Sequence, residues 1–199
     1  MKLRESGMPP EDYWETLLDA EAILTRFRLD ATTRDVAELG CGYGTFTLPL
    51  ARRIGGRVHA IDIDGTMVER TIARAAQEGV RNIAAAQRDI LTQGYGCPDE
   101  SCDAGLLFNI LHGESPVELL RETARVVRPG GMVAVIHWRT DISTPRGPSA
   151  EIRPPPEKIA EWATLAGDLR LSEGLFELPP YHFGLIFTRL HLSVGRGRR

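Results

Sequence analysis

The stretch from Val36 to Ala51 constrains this chain more than any other. Val36, Ala37, Glu38 and Leu39 read as the end of a buried strand, Gly40-Cys41-Gly42-Tyr43-Gly44 as a turn, and Thr45 to Ile54 as the helix that follows. Glycines at alternate positions of the turn carry no Cβ, so a ligand can lie directly on the main chain. A strand, a glycine turn and a helix start also bring backbone N–H groups and a helix N-terminus against one ligand.

Two ligand classes use such a turn. The dinucleotide fingerprint has glycines at its first, third and sixth positions. Counted from Gly40, the sixth position is Thr45, so that fingerprint fails at its last place. What stands here is an acid followed by alternating glycines: Glu38, Gly40, Gly42, Gly44.

The rest of the chain supplies the context. Arg57 to Asp62 reads as a second strand, and Asp62 lies 18 residues past Gly44. An acid at that distance, at a strand tip, is placed to accept hydrogen bonds from ribose hydroxyls. Asp64 reads as the cap of a helix reaching Glu78. Met67, in its first turn, either packs on an adenine face or belongs to the core. Arg81 to Gln87 is a third strand, followed by Arg88-Asp89-Ile90, where Asp89 either accepts from an adenine amino group or stabilises a turn. Asp103 to Asn109 is a fourth strand. Ser115-Pro116-Val117-Glu118 reads as a capping box that opens a helix to Arg128, stopped by Pro129-Gly130-Gly131. Met132 to Trp138 is a continuous apolar fifth strand. After the proline-rich loop Thr140–Pro156, a helix from Glu157 to Ala166 carries Ile159, Trp162 and Leu165 on one face. Leu169–Leu178 and Phe183–Leu192 then form a hairpin joined by Pro179-Pro180-Tyr181. Ahead of all this, Pro9 and Pro10 precede Tyr13, Trp14, Leu17, Leu18, Ile23, Leu24 and Phe27, the pattern of one or two helices that cap the sheet edge or the site.

Strand–helix alternation through five strands predicts a parallel sheet covered on both faces. The closing antiparallel hairpin departs from a dinucleotide-binding fold. From Val36 to Leu192 the chain resembles the class I S-adenosylmethionine-dependent methyltransferases, of the small-molecule type. The resemblance rests on the Glu38–Gly44 turn, Asp62, Arg88-Asp89-Ile90, the Arg128–Gly131 turn and the terminal hairpin. It implies an α/β, three-layer, Rossmann-like fold whose seven-stranded, mostly parallel sheet has the order 3-2-1-4-5-7-6, strand 7 antiparallel. The domains implied are a helical cap over 1–30, a methyltransferase domain over 31–193 and a basic tail over 194–199. The implied cofactor is S-adenosyl-L-methionine. Glu38, Gly40, Cys41 and Gly42 would face its methionine end, and Asp62 its ribose. Ile63, Asp89 and Ile90 would frame its adenine, and the Asn109 backbone would lie beside the sulfonium; Met67, by its place in the helix's first turn, is the further candidate for the adenine face. The activity implied is in-line methyl transfer to a small-molecule acceptor, achieved mainly by alignment.

Candidate bases are His112, His137 and His182; His112 is the tentative choice because it follows strand four on the ligand side. Trp14, Trp138, Arg139, Arg146 and Tyr181 are placed by strand-end position to line an acceptor pocket, similar to those of small-molecule methyltransferases, including those of quinone biosynthesis. Asn109-Ile110-Leu111-His112 lacks the signature used on exocyclic base amines, and a net charge of −3 weighs against a broad nucleic-acid surface. No apolar run reaches the length of a membrane span. The three cysteines have neither disulfide nor zinc spacing, so no metal is expected and a reducing cytoplasm is the expected compartment. A monomer or a homodimer is expected. The rival readings are a nicotinamide-dependent oxidoreductase and a non-catalytic S-adenosylmethionine-binding protein.

Overall fold

The computed structural model describes residues 9–191; the first eight residues and 192–199, including all of the expected basic tail, lie outside the described residues. Two short helices come first, α1 (Glu11–Glu15) and α2 (Ala20–Arg26). Then follow β1 (Val36–Leu39), α3 (Thr47–Arg53), β2 (Val58–Asp62), α4 (Gly65–Gln77), β3 (Ile83–Gln87), α5 (Ile90–Gln93) and β4 (Cys102–Phe108). The chain continues through α6 (Pro116–Val126), β5 (Val127–Trp138), α7 (Pro156–Ala166), β6 (Leu169–Leu178) and β7 (His182–Arg189). The strands form one sheet of order 3-2-1-4-5-7-6. Pairings from β3 through β5 are parallel, while β7 runs antiparallel to both β5 and β6. This is the expected topology.

Aspartates set three of the helix starts. Asp19, Asp64 and Asp89 accept from the backbone N–H of Ala22, Thr66 and Leu91, at 2.9, 2.9 and 3.0 Å, and so satisfy donors that a helix end leaves open. Each face of the sheet then buries its own core. On one face Leu119, Leu120, Ala124, Ile159 and Ala163 of α6 and α7 pack on Leu107, Val133, Val135 and Phe183. On the other, Leu17, Leu18, Ile23, Leu24 and Phe27 join Leu50 and Ala51 of α3 over Val36, Val58, Leu106 and Ile136. The N-terminal helices therefore share a core with α3 and the central strands. Among the described residues no helix is long and apolar enough to cross a membrane.

Three local expectations fail. Ser115 adopts a left-handed conformation, φ 56°, and its side chain makes no cap hydrogen bond, so the capping box does not close; Pro116 alone marks the start of α6. That helix ends at Val126, because Val127 already pairs with Cys102, and Arg128–Gly131 enter β5 through an irregular stretch of the ladder. Leu165 is 58% exposed, whereas Ala163 and Ala166 are buried. The inward stripe of α7 is Ile159, Ala163 and Ala166, at helical spacing, and its alanines present small side chains toward the core.

Candidate active site

In this sheet β1 lies between β2 and β4, and the chain order reverses there. Ligands of open α/β sheets bind beyond the carboxyl ends of the strands at such a switch. The glycine turn stands at that place. Gly40, Gly42 and Gly44 have φ of 79°, 52° and 80°, the left-handed region that glycine enters without steric cost. They serve different ends. A Cβ on Gly44 would stand 2.5 Å from Leu48 Cδ1, so this glycine admits α3 rather than a ligand.

Four of the turn's five amides are engaged within the protein. Gly40 and Cys41 donate to the Ile61 carbonyl at 2.7 and 3.2 Å, and Gly44 to the Cys41 carbonyl at 2.8 Å. Gly42 donates to Asp62 Oδ2 at 2.9 Å, while Asp62 Oδ1 accepts from Asp64 N at 3.0 Å. Asp62 thus ties the turn to the end of β2 and is only 6% exposed. Glu38 is 3% exposed and accepts from the Thr47 hydroxyl at 2.6 Å. Burial, with Asp62 nearby, pushes its carboxyl up to about 8; burial raises Asp62 as well. The expectation that the turn presents free N–H groups to a ligand is therefore corrected. With those donors spent and two buried carboxyls beneath, the turn suits a cationic or neutral ligand and disfavours a pyrophosphate.

The other expected cofactor residues surround this point. The Cys41 side chain packs in the core with Phe46 and Leu50, leaving only its backbone for a ligand. Ile63 and Met67 are half-buried beyond β2, and the Gln87 amide donates to the Ile63 carbonyl at 3.1 Å. Asp89 spends one carboxylate oxygen on its helix cap and Ile90 packs against the core. Asn109 carries more than its backbone. It is held left-handed, φ 57°, and both side-chain polar atoms are buried with no partner among the described residues. Buried polar atoms are normally bonded, so such a group marks a functional position.

The same condition recurs along the carboxyl rim. Thr45 Oγ1, His112 Nδ1 and both ring nitrogens of His182 are buried without a partner among the described residues, and His137 is buried with at most a weak bond to the Trp138 backbone. His112 and His137 meet edge-on at 5.5 Å between ring centroids, and His182 lies 4.2 Å from Trp138. Burial pushes His137 and His182 down to about 3 and lowers His112, so all three imidazoles are neutral near pH 7.

The expected acceptor residues divide. Trp14, Trp138 and Tyr181 come together, with centroids 6.3 Å apart for the first pair and 6.4 Å for the second. Arg139 is engaged by Asp141 at 2.7 Å and Glu177 at 3.0 Å, and Arg146 is exposed on the proline-rich loop. Arg153, not singled out from the sequence, lies over Trp138 at 5.6 Å. It donates to the Pro148 and Arg139 carbonyls at 2.9 and 3.0 Å, anchoring that loop. At the other flank, Tyr43 donates to the Pro9 carbonyl at 2.8 Å, while Arg74 pairs with Glu11 and Glu15 of α1 at 2.7 and 3.0 Å. The N-terminal segment thus crosses the glycine turn.

Comparison with known proteins accords with this geometry. Residues 36–131 match the family described as a methyltransferase domain. That stretch, just under half of the chain, belongs to the methyltransferase-domain family. The chain is 32% identical over 106 residues to the aklanonic acid methyltransferase DauC of Streptomyces sp. (strain C5), covering 52% of this chain and 47% of that one. It is 28% identical over 163 residues to the nocamycin O-methyltransferase of Saccharothrix syringae, covering 81% and 52%. The chain spans about half the length of these two relatives. Its fold is that of a SAM-dependent methyltransferase from Aquifex aeolicus, with a TM-score of 0.79 at 24% identity, covering 90% of this chain and 94% of that one. S-adenosylmethionine is the family's cofactor, and the consumed turn amides above two buried carboxyls fit a molecule without phosphate.

Proposed function

We propose that this chain transfers a methyl group from S-adenosylmethionine to an oxygen of a small, largely apolar acceptor. When bound, that cofactor supplies an electrophilic methyl on a sulfonium. In this reading Glu38, neutral in the free protein, ionises beside the cofactor's ammonium group, and Asp62 accepts from ribose hydroxyls with the lone pairs that Gly42 and Asp64 leave open. The Asn109 amide orients the reacting end. Alignment of acceptor, methyl and sulfur is the protein's main contribution, for which roughly 7–11 kcal/mol is available. His112, neutral at pH 7, takes the proton where the acceptor oxygen still carries one.

The observation that carries this reading is the buried Asn109 amide without a partner among the described residues, at the end of β4, together with the buried His182 imidazole against the aromatic group of Trp14, Trp138 and Tyr181 on one face of the sheet; His112 and His137 meet on the other face. A small number of buried polar groups near an aromatic surface suits a small molecule with one or two oxygens. The names of the relatives, an aklanonic acid methyltransferase and a nocamycin O-methyltransferase, support the same class of acceptor. The test is incubation with methyl-labelled cofactor and a panel of phenols, enols and carboxylic acids. A mass gain of one methyl is expected, lost in His112→Gln for phenols but retained for acids already ionised. Cofactor binding without transfer to any panel member or metabolite extract would favour a non-catalytic binding protein.

A further inference from the structure

A second group of reactive side chains lies at the opposite end of the same strands. His59 is the second residue of β2, three residues before Asp62, hence about 10 Å away along the strand. Its ring meets Cys97, from the loop before β4, and Cys102, the first residue of β4. One ligand atom from each of the three lies within 4.8 Å of the other two. The methyl-transfer site has no use for them.

The surroundings hold this cluster in place. His59 is in register with Ala37 and Ala84, and Ala37 with Gly105, so a row of small residues leaves room for ring and sulfurs on that face. Both Arg125 Nη atoms donate to the Cys97 carbonyl at 3.2 Å, with Arg125 itself held by Glu122 and Asp99. The Tyr95 hydroxyl bonds Thr123 Oγ1 at 3.1 Å. The loop is thus fixed, and its sulfurs face His59 and each other, with long contacts besides from Cys97 Sγ to the Tyr95 carbonyl at 3.9 Å and from Ser101 Oγ to Cys102 Sγ at 3.8 Å. A cleft of about 300 Å³, lined by Asp35, Gly56, Arg57, His59 and Asn82, opens beside the imidazole. Asp35 Oδ2 stands 3.9 Å from His59 Nε2.

We propose that His59, Cys97 and Cys102 bind a divalent zinc ion, with Asp35 or water from the cleft as fourth ligand. Two thiolates and an imidazole are a borderline-soft donor set that selects zinc over magnesium or calcium. Zinc–sulfur bonds of about 2.3 Å in a tetrahedron place the sulfurs about 3.8 Å apart, reached from the present spacing by side-chain rotation. Two thiolates cancel the ion's charge, which suits cysteines that are buried. The cysteine spacing alone gives no hint of this, because the third ligand arrives from β2 across the sheet. The ion would clamp β2, the 94–101 loop and the start of β4 at the end remote from the cofactor.

The test uses the untagged full chain, reduced, stripped with chelator and titrated with zinc. One zinc per chain is expected by elemental analysis. Cobalt substitution should give thiolate-to-cobalt charge-transfer absorption. Cys97→Ser, Cys102→Ser and His59→Gln should each weaken zinc binding at least a hundredfold. Zinc should raise the unfolding midpoint of the wild type but of none of these variants, whose midpoints in chelator should match the wild type in chelator. The proposal fails if the reduced chain takes up less than a tenth of an equivalent. It fails equally if the serine variants bind as tightly as the wild type, or if the cobalt protein shows no thiolate band.

Discussion

Replacing Glu38 with glutamine tests the electrostatics beneath the glycine turn. Glutamine keeps the volume and can still accept from the Thr47 hydroxyl, but it cannot ionise. In the folded protein the Glu38 carboxyl titrates at about 8, against an ordinary value of 4.5, chiefly because burial disfavours its charge. A raised folded pKa means the folded state binds more protons than the unfolded state between those two values. The contribution to stability is therefore complete below about pH 4.5 and is lost as the pH rises through 8. The loss accumulates at up to about 1.4 kcal/mol per pH unit, so it amounts to a few kcal/mol between pH 5 and pH 8. Glu38→Gln has no such term. Urea unfolding of both proteins without cofactor, at pH 5, 6, 7 and 8, should show the variant gaining about that much over the wild type across the series, since other groups contribute equally to both. A difference that stays flat with pH would mean that Glu38 is an ordinary ionised carboxylate, and the account of the site's charge would be wrong.

Further outcomes follow from the same geometry. Binding of S-adenosylhomocysteine, measured by calorimetry in two buffers of different ionisation enthalpy, should release close to one proton at pH 7 in the wild type and none in Glu38→Gln. Asn109→Gly, which keeps the left-handed backbone at no cost, should leave stability nearly unchanged by denaturant unfolding yet lower kcat/KM at least tenfold. Gly44→Ala, at φ 80° and against Leu48, should destabilise the fold by about 1–3 kcal/mol in the same assay. With a phenolic acceptor, the acid limb of kcat/KM should fall below pH 6.5 because burial lowers His112, and His112→Gln should abolish that limb.

Much of the architecture was legible because it rests on local chemistry. Alternating apolar strands and capped helices, with the glycine stop at Gly79, mark β1 through β4 and their crossovers. The hairpin after the proline-rich loop marks the antiparallel end. That the glycine turn and Asp62 meet was also legible, because one crossover separates them. Other features depend on relations no single segment contains. Leu165 fits an apolar stripe as well as Ala163 does until α6 and the sheet choose the face. The unpartnered Asn109 amide is visible only once its neighbours are in place, although asparagine at a strand end is itself a signal for a left-handed residue. Arg153 looked like one charge among prolines, and its place over Trp138 comes from how the loop folds back. His59 reaches Cys97 and Cys102 only across β1.

The inward engagement of the Gly40–Gly44 amides bears on any attempt to retarget the pocket. Writing glycine at position 45 would complete the spelling of a nicotinamide-type fingerprint, yet no main-chain hydrogen would be released by it. A redesign would first have to unhook Gly42 from Asp62 and remove the two acidic side chains below, and so dismantle the brace that gives the loop its shape.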